Sequence, residues 1–279
     1  MVALLAIPQF NDIALTTKVV AERAGGKHKV YFANYLNSWI ARIQEYDDKQ
    51  GDPSTISPSI IPLDESGRFV NLYESHDDEN SQRPVIKALR DNKLLFCPSC
   101  GEDGKPETLD HYLPKTHYPE YSILTKNLVP MCSKCQGVKL AEVLSNSGQR
   151  QFIHPYFDKI TFPLFYVVVH TPYLAPSNFE VLICDNLPPQ LRELAARHIR
   201  ALDIDTRFSD YCREKYIHLL KITSEMRESD ESIAQMLPVF IRMESMKTIN
   251  SWPAVFYRSV LMDKSLMQYL EGDSLPKYI

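Results

Sequence analysis

The chain has 279 residues, 44% hydrophobic and 24% charged, with a formal net charge of −4. That composition belongs to an ordinary globular protein with a sizeable core, and no apolar run reaches the roughly 20 residues that a membrane span needs. The acidic balance excludes indiscriminate, tight coating of nucleic acid but leaves local phosphate recognition open. The opening Met1-Val-Ala-Leu-Leu-Ala-Ile7 lacks a basic flank, so a secretory signal is not expected.

Residues 1–48 carry helical stretches in which Tyr35, Trp39, Ile40 and Ile43 fall on one apolar face, a pattern that fits a core better than a partner surface. Residues 51–67, with Pro53, Pro58 and Pro62, read as a loop or linker, and the acidic run at 74–79 as a solvated loop. A helix over 84–95 feeds a first Cys-x-x-Cys turn, Cys97/Cys100. A short strand is expected over 108–114, ending at Pro114, and a second over 127–131. After the second turn, Cys132/Cys135, Ser133 can cap a helix from Lys134 to about Leu144, with Leu140, Val143 and Leu144 on its inner face. Residues 164–170 and 179–184 are β-rich and suit a hairpin, and helices are expected at about 189–202, 206–227, 230–246 and 252–270, with Ser251 as an N-cap. No internal repeat or low-complexity tract is present.

Two Cys-x-x-Cys turns supply the four thiolates that a structural zinc prefers. A pair of redox motifs is the competing reading, but such a site carries one motif opening a helix in a βαβ context. Cys184 and Cys212 stand alone as buried thiols, and thiolates kept available for a metal point to a reducing cytoplasm. Between the turns lie Asp110-His111 and Asn127. An imidazole titrates near neutrality and can take a proton from water, so His111 suits a general base; a structural histidine on a half-buried strand is the plain alternative. In a regular strand Asp110 faces away from His111, although twist or a bulge could bring both toward one phosphate.

The block Cys97-Pro-Ser-Cys100-Gly101, Leu109-Asp110-His111-Tyr112-Leu113-Pro114-Lys115, Tyr118-Pro119-Glu120, Asn127-Leu128-Val129-Pro130 and Cys132-Ser-Lys-Cys135 resembles the HNH endonucleases. The likeness covers roughly residues 90–160. It implies an α+β fold with a ββα-metal HNH core at 89–160 and a four-Cys zinc site, between an N-terminal helical and loop region (1–88) and a C-terminal β-hairpin and helical region (161–279). It implies hydrolysis of DNA phosphodiesters, with RNA as an alternative substrate. His111 is then the base, Asn127 holds His111 through its amide, and Asp110 ligates a catalytic magnesium or manganese, or zinc. Asp110 as a turn residue and Asn127 as ordinary turn chemistry are the bland readings.

This chain departs from the pattern after the second cysteine pair, where Gln136 stands in place of histidine or asparagine. His154, in Phe152-Ile-His-Pro-Tyr156, is the substitute metal ligand, and a histidine packed among aromatic rings is its alternative; His117 and Asp158 are weaker candidates. Lys115 and Lys139 are candidate DNA contacts, with Lys126, Lys134 and Arg150 nearby, or else solvated surface. A weakly basic site on an acidic body suggests that a partner or a second subunit supplies part of the grip. The Tyr-Pro-Glu and His-Pro-Tyr text is similar to defence-associated HNH proteins of the Septu antiphage type, which implies a partner ATPase docked on the helical tail. A zinc-stabilised nucleic-acid-binding or adaptor module without catalysis is the competing function, and Gln136 is its best support.

Overall fold

The computed structural model describes residues 3–75, 77–173 and 178–276. These form a mixed α+β protein whose chain divides into two compact units, Leu4–Leu94 with Lys105–Lys159, and Leu95–Gly104 with the chain from Ile160 onward. Among the described residues no helix is long and apolar enough to cross a membrane.

Among the described residues the first unit holds the α-helices α1 (Asp12–Glu22), α2 (Lys29–Asp48), α3 (Leu63–Glu74), α4 (Gln82–Arg90) and α5 (Ser133–Lys139), and a two-stranded antiparallel sheet of β1 (Thr108–His111) and β2 (Leu128–Met131). Buried Phe32, Trp39, Ile43 and Tyr46 recur at helical spacing along α2. Phe69 of α3 meets Phe32 and Trp39 edge-on, at centroid distances of 5.4 and 4.9 Å. Trp39 Nε1 donates to the Glu120 carbonyl (2.7 Å), and the fully buried Glu120 carboxylate accepts from Arg42 Nε (2.7 Å). The turn leading into β2 is anchored from α1. There, buried Asp12, beside the N-cap Asn11, accepts from both the amide and the hydroxyl of Thr125, each at 2.9 Å.

The second unit pairs β3 (Phe165–Val169) with β4 (Phe179–Ile183) in the expected antiparallel hairpin, Val167 opposite Val181. Part of its connection lies outside the described residues. Among the described residues the helices α6 (Pro189–Ala201), α7 (Ile204–Glu228), α8 (Ile233–Ser245), α9 (Trp252–Met262) and α10 (Lys264–Gly272) follow. Along α7 the buried residues Ile204, Phe208, Cys212, Tyr216, Leu219 and Leu220 trace one face. Trp252 Nε1 donates to the carbonyl of Cys100 (2.7 Å), and His198 Nε2 to that of Ser99 (2.8 Å), so the first cysteine turn is gripped through its backbone.

Several boundaries differ from the sequence expectations. α3 begins at Leu63, inside the expected loop, because Pro62 precedes it with extended dihedrals and Asp64 and Glu65 favour the helix N-terminus. α5 is capped by Cys132, whose Sγ accepts from the amide of Cys135 (3.4 Å), and not by Ser133. It stops at Lys139, since Leu140 takes φ +49°, so Val143 and Leu144 do not extend it. The expected helix over 252–270 is two helices, broken where the Asp263 carboxylate accepts from the amides of Ser265 and Leu266. The Ser251 hydroxyl does not cap α9 but donates back to Glu244 O (3.0 Å).

Gly101 has φ +82°, and a Cβ there would stand 2.3 Å from the carbonyl oxygen of Asn250. Gly101→Ala is therefore expected to lower stability by about 2 kcal/mol or more, combining left-handed strain with a backbone clash. A shift of the urea midpoint at unchanged m-value checks this.

Candidate metal and hydrolytic site

The four sulfurs of Cys97, Cys100, Cys132 and Cys135 all lie within 4.8 Å of one another, with three of the four residues buried. Zinc–sulfur bonds of about 2.3 Å in a tetrahedron put sulfurs about 3.8 Å apart, so the set fits a zinc ion. Each turn has the backbone that such a site uses. Gly101 N donates to Cys97 O (2.8 Å) with the glycine at positive φ, and Gln136 N to Cys132 O (3.0 Å). The four cysteines can therefore hold a structural metal such as zinc.

Strand β1 carries Asp110 and His111, each 8% exposed. His111 Nε2 donates to the carbonyl of Ser122 (2.9 Å). A carbonyl only accepts, so Nε2 bears the proton and Nδ1 keeps the lone pair, the tautomer a general base requires. Burial lowers the His111 pKa to about 4, which keeps the ring neutral near pH 7. The ring of Tyr73 in α3 covers the imidazole edge-on at 4.5 Å. Tyr73 is itself fixed, its hydroxyl donating to Leu109 O (3.0 Å) and accepting from Arg90 Nη2 (3.1 Å).

Asp110 meets a different helix. Its Oδ2 lies 2.9 Å from Lys139 Nζ of α5, an ion pair without hydrogen-bond geometry. Lys139 also donates to the His111 carbonyl (2.9 Å) and is 2% exposed. Strand alternation is thus realised: the carboxylate turns to α5 while the imidazole turns to α3. Lys139, read from sequence as a DNA contact, is instead an internal cation whose charge is spent on Asp110. Lys115 is half-buried and pairs with Glu74 at 2.5 Å.

Asn127 is fully buried and uses both ends of its amide. Oδ1 accepts from Leu113 N (2.7 Å) and Tyr46 Oη (3.1 Å), while Nδ2 donates to Leu113 O (3.0 Å) and Tyr121 O (3.2 Å). The amide therefore ties the segment after His111 to the turn before β2. His154 belongs to the same network. Its Nδ1 accepts from Tyr156 N (3.2 Å), so in the neutral ring Nε2 carries the proton, 3.1 Å from Tyr46 Oη. Both ring nitrogens are engaged at 0% exposure, leaving no lone pair for a metal. His154 sits among Tyr112, Tyr156 and Phe157, the aromatic alternative to the ligand expectation. Asp158 is likewise occupied, by His154 N (2.6 Å) and Arg150 (3.0 Å), whereas His117 is exposed.

The sequence reading missed Tyr46, Tyr73 and Ser122. Tyr46 was within reach, since it continues the Trp39–Ile43 spacing; Tyr73 and Ser122 meet His111 only through tertiary packing.

Both buried histidines make the first unit acid-sensitive. Their folded pKa values lie below the unfolded value of 6.5, so the unfolded chain binds more protons. Stability is complete above about pH 6.5 and falls as pH drops below it, by about 1–2 kcal/mol for His111 at about pH 5, with His154 acting in the same direction. Urea titrations across that window test this, with a flatter dependence expected in His154→Gln.

A catalytic cation finds a partial donor set here. Asp110 Oδ2 is a buried carboxylate oxygen without a hydrogen bond, which suits a hard divalent ion that keeps most of its waters, but Lys139 competes for it.

No family model matches the chain, and no solved structure does. The chain is similar to protein ea31 of Escherichia phage lambda, 35% identical over 146 residues, or 50% of this chain and 49% of that protein. It is also similar to the Septu protein PtuB of Bacillus thuringiensis, 28% identical over 88 residues, or 30% of this chain and 34% of PtuB. The matches span about half and about a third of these relatives' own lengths; the chain is distantly related to a Septu protein, and its own four cysteines could hold a metal.

Proposed function

We propose that this protein is a metal-dependent HNH endonuclease that hydrolyses DNA phosphodiesters within a Septu-like antiphage defence system, alongside a partner ATPase. The observation that carries the reading is the neutral His111 tautomer, held by Ser122 on a strand whose neighbouring turn is locked by Asn127. His111 Nδ1 takes the proton of the attacking water. Asn127 keeps the His111 segment in register and reacts with nothing. Asp110 would hold a divalent cation, which supplies charge neutralisation at the phosphate and the leaving oxygen.

In the covered state the ring of Tyr73 must move before a phosphate reaches the imidazole. Tyr73→Ala is expected to raise the rate of His111 modification by diethyl pyrocarbonate severalfold, read by peptide mass spectrometry; an unchanged rate removes the covering role.

The ion pair of Asp110 with Lys139 favours a second reading, a zinc-stabilised nucleic-acid adaptor in which a lysine ammonium has replaced the cation. Nicking of supercoiled plasmid with added magnesium or manganese separates the two. Cation-dependent nicking supports the nuclease, and retention of DNA without nicking, with the partner present, supports the adaptor. Labelled RNA in the same assay assigns the substrate.

A further inference from the structure

The second unit holds a cavity of 410 Å³ beside β3 and α9, lined by Phe165, Tyr166, Cys184, Asn186, Arg258 and Met262 among others. Its chemistry is uneven. The wall is aromatic and aliphatic, yet Arg258 of α9 is part of it. Arg258 Nη2 donates to the Ile249 carbonyl (3.0 Å), whereas Nη1 is buried and has no hydrogen-bond partner among the described residues.

No carboxylate pairs with Arg258 among the described residues. Asp185, also in the lining, is exposed and engaged with Arg192 at 2.5 Å. The Ser259 hydroxyl is committed as well, accepting from Val167 N (3.0 Å) and donating to Val255 O (2.8 Å). A buried donor on a permanently charged group is costly to leave unmet and is worth most to an anion that fills it. The volume lies within the range of small-ligand sites, which combine apolar walls with a few placed polar groups.

We infer that this cavity binds a small organic anion, a flat body against Phe165 and Tyr166 with a phosphate or carboxylate head on Arg258 Nη1. Asn186, exposed at the rim, offers an amide to the body's polar edge. The Cys184 thiol lines the same cavity and reports on its occupancy.

Calorimetric titration of the full chain with adenosine monophosphate, benzoate and inorganic phosphate tests the site, with alkylation of Cys184 by iodoacetamide followed by peptide mass spectrometry. One-site saturation by the nucleotide or benzoate is expected, at least about tenfold tighter than by inorganic phosphate, with slower Cys184 labelling. Arg258→Met should weaken binding by about tenfold or more, and Arg258→Lys by less, because a lysine keeps the charge but loses the fork. Preference for the nucleotide assigns a phosphate head, and preference for benzoate a carboxylate. Should Arg258→Met fail to fold, Arg258→Lys and the labelling of unmodified protein carry the test. Absence of saturation and of Cys184 protection with all three probes at millimolar concentration overturns the proposal, as does binding indifferent to Arg258.

Discussion

Cys97→Ser, or prolonged chelation of the wild-type protein, is expected to release zinc and unfold the surrounding structure, the largest loss of stability any single change here should produce. Structural zinc contributes on the order of 10–16 kcal/mol of apparent binding energy in small zinc modules, more than the whole net stability of a typical domain. The geometry supports a large effect. Four sulfurs converge within 4.8 Å, and Cys97, Cys100 and Cys135 are at most 1% exposed. Elemental analysis should find about one zinc per chain in purified protein and less than a tenth of that in Cys97→Ser, together with loss of the cooperative thermal transition. A variant that keeps its zinc, or melts as the wild type does, would show that the cysteine cluster is packing alone.

Asn127→Ala is expected to rank second. The amide makes four hydrogen bonds at zero exposure, so truncation strands the amide and carbonyl of Leu113 in a dry interior and takes one partner each from the Tyr121 carbonyl, which keeps Leu124 N, and the Tyr46 hydroxyl, which keeps His154 and Lys126. At about 1–3 kcal/mol for each of the two buried groups left unmet, and with partial relaxation, the loss should be about 2–4 kcal/mol. Asn127→Asp should be no better. It keeps the shape but removes both Nδ2 donors and buries a charge. Urea titration of the two variants reads the effect, and a midpoint within the usual scatter of the wild type would refute the locking role.

Much of this arrangement was legible in the sequence because it rests on local chemistry. The matched Cys-x-x-Cys turns point to a four-sulfur cluster that could hold a metal, the proline-bounded runs give β1 and β2, and the β-rich runs at 164–170 and 179–184 give the hairpin. The break at Asp263 was legible too but was not read, since Asp263-Lys-Ser-Leu has the form of a helix N-cap. What stayed hidden depends on partners distant in sequence. Nothing local marks Lys139 as an internal cation, since only the fold brings Asp110 to it. His154 looked like a ligand by residue type, yet its nitrogens were already taken by Tyr46 and Tyr156. The covering of His111 by Tyr73 joins residues 38 positions apart and leaves no periodic trace.

We propose that a neutral imidazole on β1 takes a proton from water for phosphodiester cleavage. The most direct test of this step is the initial rate of magnesium- or manganese-dependent plasmid nicking for wild type and His111→Ala. The comparison is made also in a Tyr73→Ala background, at matched zinc content and matched urea midpoint, with the partner present. Loss of the general base should slow cleavage by about 10²–10⁴-fold in both backgrounds. Equal nicking rates with and without the imidazole, at full zinc occupancy, would contradict it.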